Sequence, residues 1–185
     1  AYNTGLKEVT ILGTPEMGSS AFSKDTALVK FTAPKLTYIG VSAFDGDTAL
    51  TEFVVPDNLT FIGDKAFQNC TNLTKLIFPS TYKAPTLTLG TQLFLKCTKF
   101  TGIVVEDGAN IRLDDAGVLY TADGKTLIAA TDSFKATSYT VADGVETISP
   151  SAFYSKTSLT TVTLPASMKS IGDKAFYGCT GLTAI

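Results

Sequence analysis

The chain has 185 residues, 44% hydrophobic and 17% charged, the balance of a folded domain with a sizeable core rather than of a disordered tail. Its net charge of −2 offers no basic surface for nucleic acid, and no apolar run approaches the roughly 18–20 residues of a membrane span, so neither nucleic-acid binding nor membrane insertion is expected. Histidine is absent, which excludes Ser-His-Asp and Cys-His pairs, histidine-ligated metals and the usual general base near neutral pH.

The polar start carries neither the basic region nor the apolar run of a signal peptide, so any such peptide is expected to lie outside these residues. From there, Leu6, Val9 and Ile11 form a large-x-x-large-x-large pattern. Its last part has period two and predicts a short strand with one buried face. The pattern returns at Leu28/Phe31/Ala33, Leu50/Phe53/Val55, Leu73/Leu76/Phe78, Phe100/Ile103/Val105 and Leu159/Val162/Leu164, and opens once more at Leu182/Ile185. Pro34, Pro56, Pro79 and Pro165 end strands, because proline cannot donate to a ladder. Ile39-Gly40, Ile62-Gly63, Ile148-Ser149 and Ile171-Gly172 follow, with glycine where a side chain would be in the way. Each unit then reaches a phenylalanine: Phe22, Phe44, Phe67, Phe94, Phe153 and Phe176, preceded by alanine except at Leu93. Ile62 to Leu76 and Ile171 to Ile185 are identical at ten of fifteen positions.

A unit of about 23 residues cannot close its own core, whereas stacked units bury leucine on leucine and phenylalanine on phenylalanine. The step from Phe94 to Phe153 is longer. Ser138 to Phe153 fits the repeat, and Gly117 to Ala130 is two apolar runs around Asp123-Gly124, a hairpin signal. Residues 107–137 therefore read as one irregular coil carrying a β-hairpin at about 117–130.

The phrase Ala-Phe-x-x-Cys-x-x-Leu-x-x-Val-x-Leu-Pro, followed by Ile-Gly-Asp-Lys-Ala-Phe, resembles the BspA-like branch of leucine-rich repeats, as does the hairpin phrase Gly117 to Ile128. The resemblance covers nearly the whole chain and departs from the family pattern at Pro79 to Phe94, which is longer. It implies one leucine-rich-repeat solenoid over residues 1–185: a right-handed superhelix of about eight coils with a parallel β-sheet on the concave side. Short turns, 3-10 or helical pieces are expected elsewhere. It also implies a bacterial cell-surface or secreted setting, with adhesion to host or neighbouring-cell proteins.

Cys70, Cys97 and Cys179 each stand three residues after a repeat phenylalanine, the place of a small buried residue. Cys70 and Cys97 would stack in adjacent coils, near enough to consider a disulfide, but the repeat accounts for them without one. Asp123-Gly124-Lys125-Thr126 resembles the end of a phosphate-binding loop but lacks its first glycine, since Leu119 stands there. Asp107, Asp114, Asp115 and Asp123 lack the spacing of a calcium loop. The sequons at Asn58 and Asn72 are expected by chance in a repeat rich in Leu-Thr. No catalytic residue, cofactor or metal is expected.

The informative surface is the outward side of the strands. One column reads Glu8, Lys30, Glu52, Lys75, an alternation that predicts cross-strand charge pairs of ~0.2–1 kcal/mol each. The next reads Thr10, Thr32, Val54, Ile77, Val104, either a patch for a partner or no more than strand propensity. Tyr82 in the Ser80–Pro85 loop and Tyr120 on the hairpin are candidate anchors, with packing against the next coil as the competing role. The same holds for Tyr38 and Phe61 beside the repeat isoleucines. Glu52, Val54, Lys75, Ile77, Val104, Tyr82 and Tyr120 are the candidate partner-binding residues.

The expected function is a non-enzymatic module that binds a host-matrix protein, another cell-surface protein or a glycan. The alternatives are a spacer or an accessory region of a larger surface protein or enzyme. Ile185 stops on the first half of a strand, so the solenoid is expected to continue or to associate end to end with another copy at this coil.

Overall fold

The computed structural model describes residues 2–13 and 16–185. It is a parallel-strand β-solenoid of about seven turns with no helix among the described residues, rather than eight coils with helical pieces. It divides into two compact units, Ala1–Asn110 and Ile111–Ile185.

In the first unit the strands are β1 (Glu8–Thr10), β2 (Glu16–Met17), β3 (Lys30–Thr32), β4 (Tyr38–Ile39), β5 (Glu52–Val54), β6 (Phe61–Ile62), β7 (Lys75–Phe78), β8 (Thr88–Leu89) and β9 (Gly102–Val105). Each turn of chain supplies one strand to each of two parallel ladders. The longer strands pair as β1–β3 and as β5–β7–β9; the two-residue strands form an unbroken ladder, β2–β4–β6–β8. The second ladder is where the sequence showed only Ile-Gly. Ile39, Ile62 and Leu89 are its inward residues, so Thr88-Leu89-Gly90 takes the Ile-Gly place in the longer coil.

The third side is the phenylalanine corner. The N–H of Phe22, Phe44 and Phe67 donates to the carbonyl of Ala43, Ala66 and Leu93 in the next coil, at 2.8, 2.8 and 3.1 Å. Leu93 thus fills the alanine place. The rings stack from coil to coil, Phe22 on Phe44 at 5.9 Å, Phe44 on Phe67 at 5.3 Å and Phe67 on Phe94 at 5.9 Å. Helix is kept out of this corner by left-handed residues on both sides of the ring. Ser42 and Lys65 stand two before it, at φ 54° and 57°, and Lys24 and Asn69 two after, at φ 64° and 58°. That conformation costs a non-glycine residue ~1–2 kcal/mol and cannot propagate a right-handed helix. It turns the N–H of Ser42, Lys65 and Asn69 onto carbonyls of the next coil at 2.9 Å.

The glycine of the Ile-Gly pair allows the backbones to touch. A Cβ on Gly63 would lie 2.6 Å from the Val41 nitrogen, and one on Gly90 would lie 2.3 Å from that of Asp64. Both obstacles are main chain, so neither can swing aside. Gly63→Ala is expected to lower unfolding stability by roughly 1–3 kcal/mol, as an overpacked core does. The urea midpoint reads this out; an unchanged midpoint would mean that the coils are spaced more loosely.

The second unit holds β10 (Ile111–Leu113), β11 (Val118–Thr121), β12 (Thr126–Ala130), β13 (Ser138–Thr140), β14 (Thr147–Ile148), β15 (Thr161–Thr163) and β16 (Ser170–Ile171). The hairpin forms at Asp123-Gly124 with β11 antiparallel to β12, and β10 adds a third antiparallel strand that the sequence did not announce. Strand β12 then pairs in parallel with β14, and β14 with β16, so the hairpin is the start of a ladder and not an appendage. On the other side β13 pairs with β15, with a parallel bridge from Thr161 to Ala184. Leu127, Val145, Ile148, Phe153 and Leu159 centre this unit's core.

Candidate functional site

The outward residues of β5, β7 and β9 make the most apolar stretch of the first unit's strand side. Register sets Glu52 beside Lys75 and Val54 beside Ile77, and Ile77 beside Val104. The inward partners Phe53, Leu76 and Ile103 are buried, which fixes which side chains face out. Val54 is 55% exposed and Val104 38%; Ile77 is half-buried between them, and Glu52 and Lys75 are exposed. The structure thus brings together five of the seven sequence candidates.

The predicted charge pairs do not form. Glu8 lies beside Lys30 and Glu52 beside Lys75 in register, yet the ion pairs among the described residues are Lys125–Glu146 and Lys169–Glu146, both on Glu146 in the second unit. Exposed lysine and glutamate gain little from a fixed geometry in water.

Between Lys30 and Glu52 the ladder itself is interrupted. Strands β3 and β5 belong to separate sheets, although the same two coils stay bonded through Tyr38–Phe61 and Ile39–Ile62 and at the phenylalanine corner. A groove of about 450 Å³ opens there, lined by Val29 to Pro34 on one wall and by Thr51, Glu52 and Val54 to Asp57 on the other. It is bounded at one end by the Thr60 N–H on the Thr37 carbonyl at 2.8 Å and at the other by the Asp25 N–H on Asp47 Oδ1 at 2.9 Å. Phe31 and Phe53 are both phenylalanine at the inward centre, and their rings stack at 5.8 Å. The other adjacent strands carry Val9, Leu76, Ile103 or Val162 on at least one side of the pair.

Two candidates are corrected. Tyr82 is fully buried; its hydroxyl donates to the Leu59 carbonyl at 2.8 Å, and its ring meets Phe78 edge-on at 5.0 Å. Tyr120 is also buried. Its hydroxyl bonds that of Tyr139, which donates to Asp114 Oδ2 at 2.5 Å, while the Arg112 guanidinium lies 4.4 Å from its ring. Both tyrosines fill the space against the neighbouring chain, and burial pushes both phenols up. The exposed aromatic surface lies elsewhere: Tyr38 stacks flat on Phe61 at 4.6 Å on the second ladder, and Tyr154 on Tyr177 at 5.4 Å in the second unit.

The interior thiols and carboxyls repeat with the coils. The three cysteines are thiols, not disulfides, and each donates to the carbonyl of the phenylalanine one coil back: Cys70 to Phe44, Cys97 to Phe67 and Cys179 to Phe153, at 2.9–3.0 Å. The side-chain hydrogen bond with Cys97 and burial push the Cys70 thiol up, and burial pushes up that of Cys179, so neither is a ready nucleophile. The same position holds Asp25 and Asp47 in the earlier coils, both fully buried. Counting three residues past Phe22 and Phe44 would have found them. Asp25 Oδ1 accepts from the Asn3 N–H at 2.7 Å. Asp47 Oδ2 has no partner, and burial, followed by the nearby Asp25 and Asp45 carboxylates, pushes its carboxyl up to about 8. No cluster of three carboxylate, thiol or imidazole groups converges among the described residues.

The family description BspA type leucine rich repeat region matches residues 2–114 and 130–185, in six copies. Among solved structures, a leucine-rich cell surface protein of Faecalibacterium prausnitzii is 28% identical, with a TM-score of 0.57 over 100% of this chain and 55% of its own. A leucine-rich repeat protein of Eubacterium ventriosum is 23% identical, with a TM-score of 0.61 over 97% of this chain and 50% of its own. The pneumococcal vaccine antigen PcpA is 23% identical, with a TM-score of 0.59 over 96% of this chain and 50% of its own. At 23% identity the last two likenesses are of fold alone, and the chain spans about half the length of each of the three. No curated protein matches.

Proposed function

Because the chain belongs to the BspA-type leucine-rich repeat family, we propose that it is a non-enzymatic binding module of a bacterial cell-surface or secreted protein, engaging a protein partner through the strand side of its coils. The observation that carries this reading is the outward column Val54, Ile77 and Val104, held in register on strands whose other face is core. Apolar β-branched side chains exposed on a rigid sheet gain by being covered, and a surface already ordered loses little entropy on binding. The likeness to a leucine-rich cell surface protein supports the location. The flat Tyr38–Phe61 pair favours a second reading, a glycan stacked on the other ladder.

The test is saturable binding to a panel of purified extracellular-matrix proteins and matrix glycans. Changing Val54, Ile77 and Val104 together to lysine is expected to weaken protein binding at least tenfold while leaving the unfolding midpoint nearly unchanged, since all three point outward. Full binding by the triple variant would exclude this face. Binding of nothing in the panel would favour a spacer.

A further inference from the structure

We propose that Cys70 and Cys97 form a redox site, at which a small-molecule disulfide converts the two thiols into one disulfide that fastens together the coils leading into β7 and β9. A cell-surface or secreted setting is where such a cross-link forms and persists. It does not depend on what the strand side binds.

The place three residues past the corner phenylalanine reads Asp25, Asp47, Cys70, Cys97, Lys156 and Cys179 along the chain. Cys70 and Cys97 are the two thiols in neighbouring coils. Those coils are hydrogen-bonded on both sides of the pair. Before it, the Phe67 N–H donates to the Leu93 carbonyl at 3.1 Å and the Asn69 N–H to that of Leu95 at 2.9 Å; after it, the Thr101 N–H donates to the Thr74 carbonyl at 2.8 Å. The two cysteine side chains are in hydrogen-bond contact. Stacked coils set equivalent Cα atoms ~4.8 Å apart, inside the roughly 4.4–6.8 Å that a disulfide spans. The sulfurs therefore close by turning their side chains, without parting the coils. The carbonyls they release stay satisfied. Cys70 Sγ gives up that of Phe44, which still accepts from the Asp47 N–H at 3.2 Å; Cys97 Sγ gives up that of Phe67, which still accepts from the Cys70 N–H at 3.2 Å. Cys179, in the second unit, stands one coil past Lys156, so its neighbour at this place is an amine and not a thiol.

Cys70 is fully buried and Cys97 half-buried, so the oxidant enters at Cys97. The Cys97 sulfur attacks one sulfur of the small disulfide. The reagent's S–S bond breaks, and the released thiolate takes the proton that Cys97 gives up. Cys70 Sγ then attacks Cys97 Sγ; the mixed disulfide breaks, and the second reagent thiolate leaves with the Cys70 proton. Two protein thiols are oxidised, one reagent disulfide is reduced to two thiols, and no other reactant is needed. The hydrogen bond with Cys97 and burial hold Cys70 protonated, which makes closure the slower step.

The experiment incubates the whole chain with oxidised glutathione at about pH 8, blocks the remaining thiols with iodoacetamide in urea and maps tryptic peptides by mass spectrometry. At the end point the peptide Ala66–Lys75 is expected to be joined to Cys97–Lys99, with Cys179 alkylated. The urea midpoint of the oxidised chain is expected to rise by about 1 M, as a cross-link closing a loop of one coil gives, and to return on reduction with dithiothreitol. Cys97→Ser, a change of one atom at a half-buried place, is expected to fold and to show no rise. Glutathione left on Cys97 with Cys70 still a thiol, no reaction at either cysteine, or a link through Cys179 or between two chains would overturn the proposal. So would a Cys70–Cys97 link that leaves the midpoint unchanged, or an equal rise in Cys97→Ser. The peptide map of the unaltered chain decides the linkage even if the variant does not fold.

Discussion

Replacing Phe67 with alanine is expected to lower unfolding stability by about 3–5 kcal/mol, the range for losing a fully buried phenylalanine. Phe67 is the middle of a continuous stack, 5.3 Å from Phe44 and 5.9 Å from Phe94, with Phe53 edge-on at 4.8 Å. It has no exposed surface, and the rings above and below are tied to their own coils by backbone bonds, so the gap cannot readily collapse. A domain's total stability is of order 5–15 kcal/mol, so the single change removes a large part of it. The urea midpoint measures the loss. Phe94→Ala is the control: Phe94 is half-buried, and its loss should be distinctly smaller. Equal effects would mean that the stack is not the core.

The second large effect is of pH. Asp47 is buried with one carboxylate oxygen unpartnered, and its carboxyl is raised to about 8. In the unfolded chain it returns to near 3.9. The folded state holds the proton more tightly, so this contribution is fully present below about pH 4. It falls as pH rises through the window up to about 8, by ~1.4 kcal/mol per pH unit from this one group. The chain should therefore be more stable at pH 5 than at pH 8, against the direction of ordinary acid denaturation. Asp47→Asn keeps the shape of the neutral acid and should flatten the dependence. Thermal melts at pH 5 and pH 8 on both proteins measure it, and a wild type more stable at pH 8 than at pH 5 would show that Asp47 stays charged in the fold.

Much of the coil was legible because its parts recur in register. The Leu-x-x-Leu-x-Leu pattern, the Ile-Gly and the Ala-Phe pairs correspond to the two ladders and the stacked corner, and Asp123-Gly124 to the hairpin turn. Stacking also gave the place of the cysteines. What sequence could not supply was tertiary. Tyr82 and Tyr120 sit in loop and hairpin sequence, where aromatics are as often anchors as filler, and only the neighbouring chain shows them covered. Asp25 and Asp47 share the cysteine position, but a carboxylate in a core defies the burial rule that sequence reading relies on. The left-handed Ser42 and Lys65 are not glycine or asparagine, so no residue type marks their turn. The outward pattern of β5, β7 and β9 was readable as alternation, whereas β3 and β5 belong to separate sheets although both carry the same repeat pattern as their neighbours.

The strand side is interrupted between β3 and β5, and backbone amide hydrogen exchange in the free chain tests that break most directly. The amides of Phe31, Ala33, Glu52 and Val54 are expected to exchange nearly as fast as in an open peptide. Those of Phe53 and Val55, which face β7, are expected to be protected with the rest of the ladder. Protection of Glu52 and Val54 equal to that of Phe53 and Val55 would mean a sheet continuous from β3 to β5.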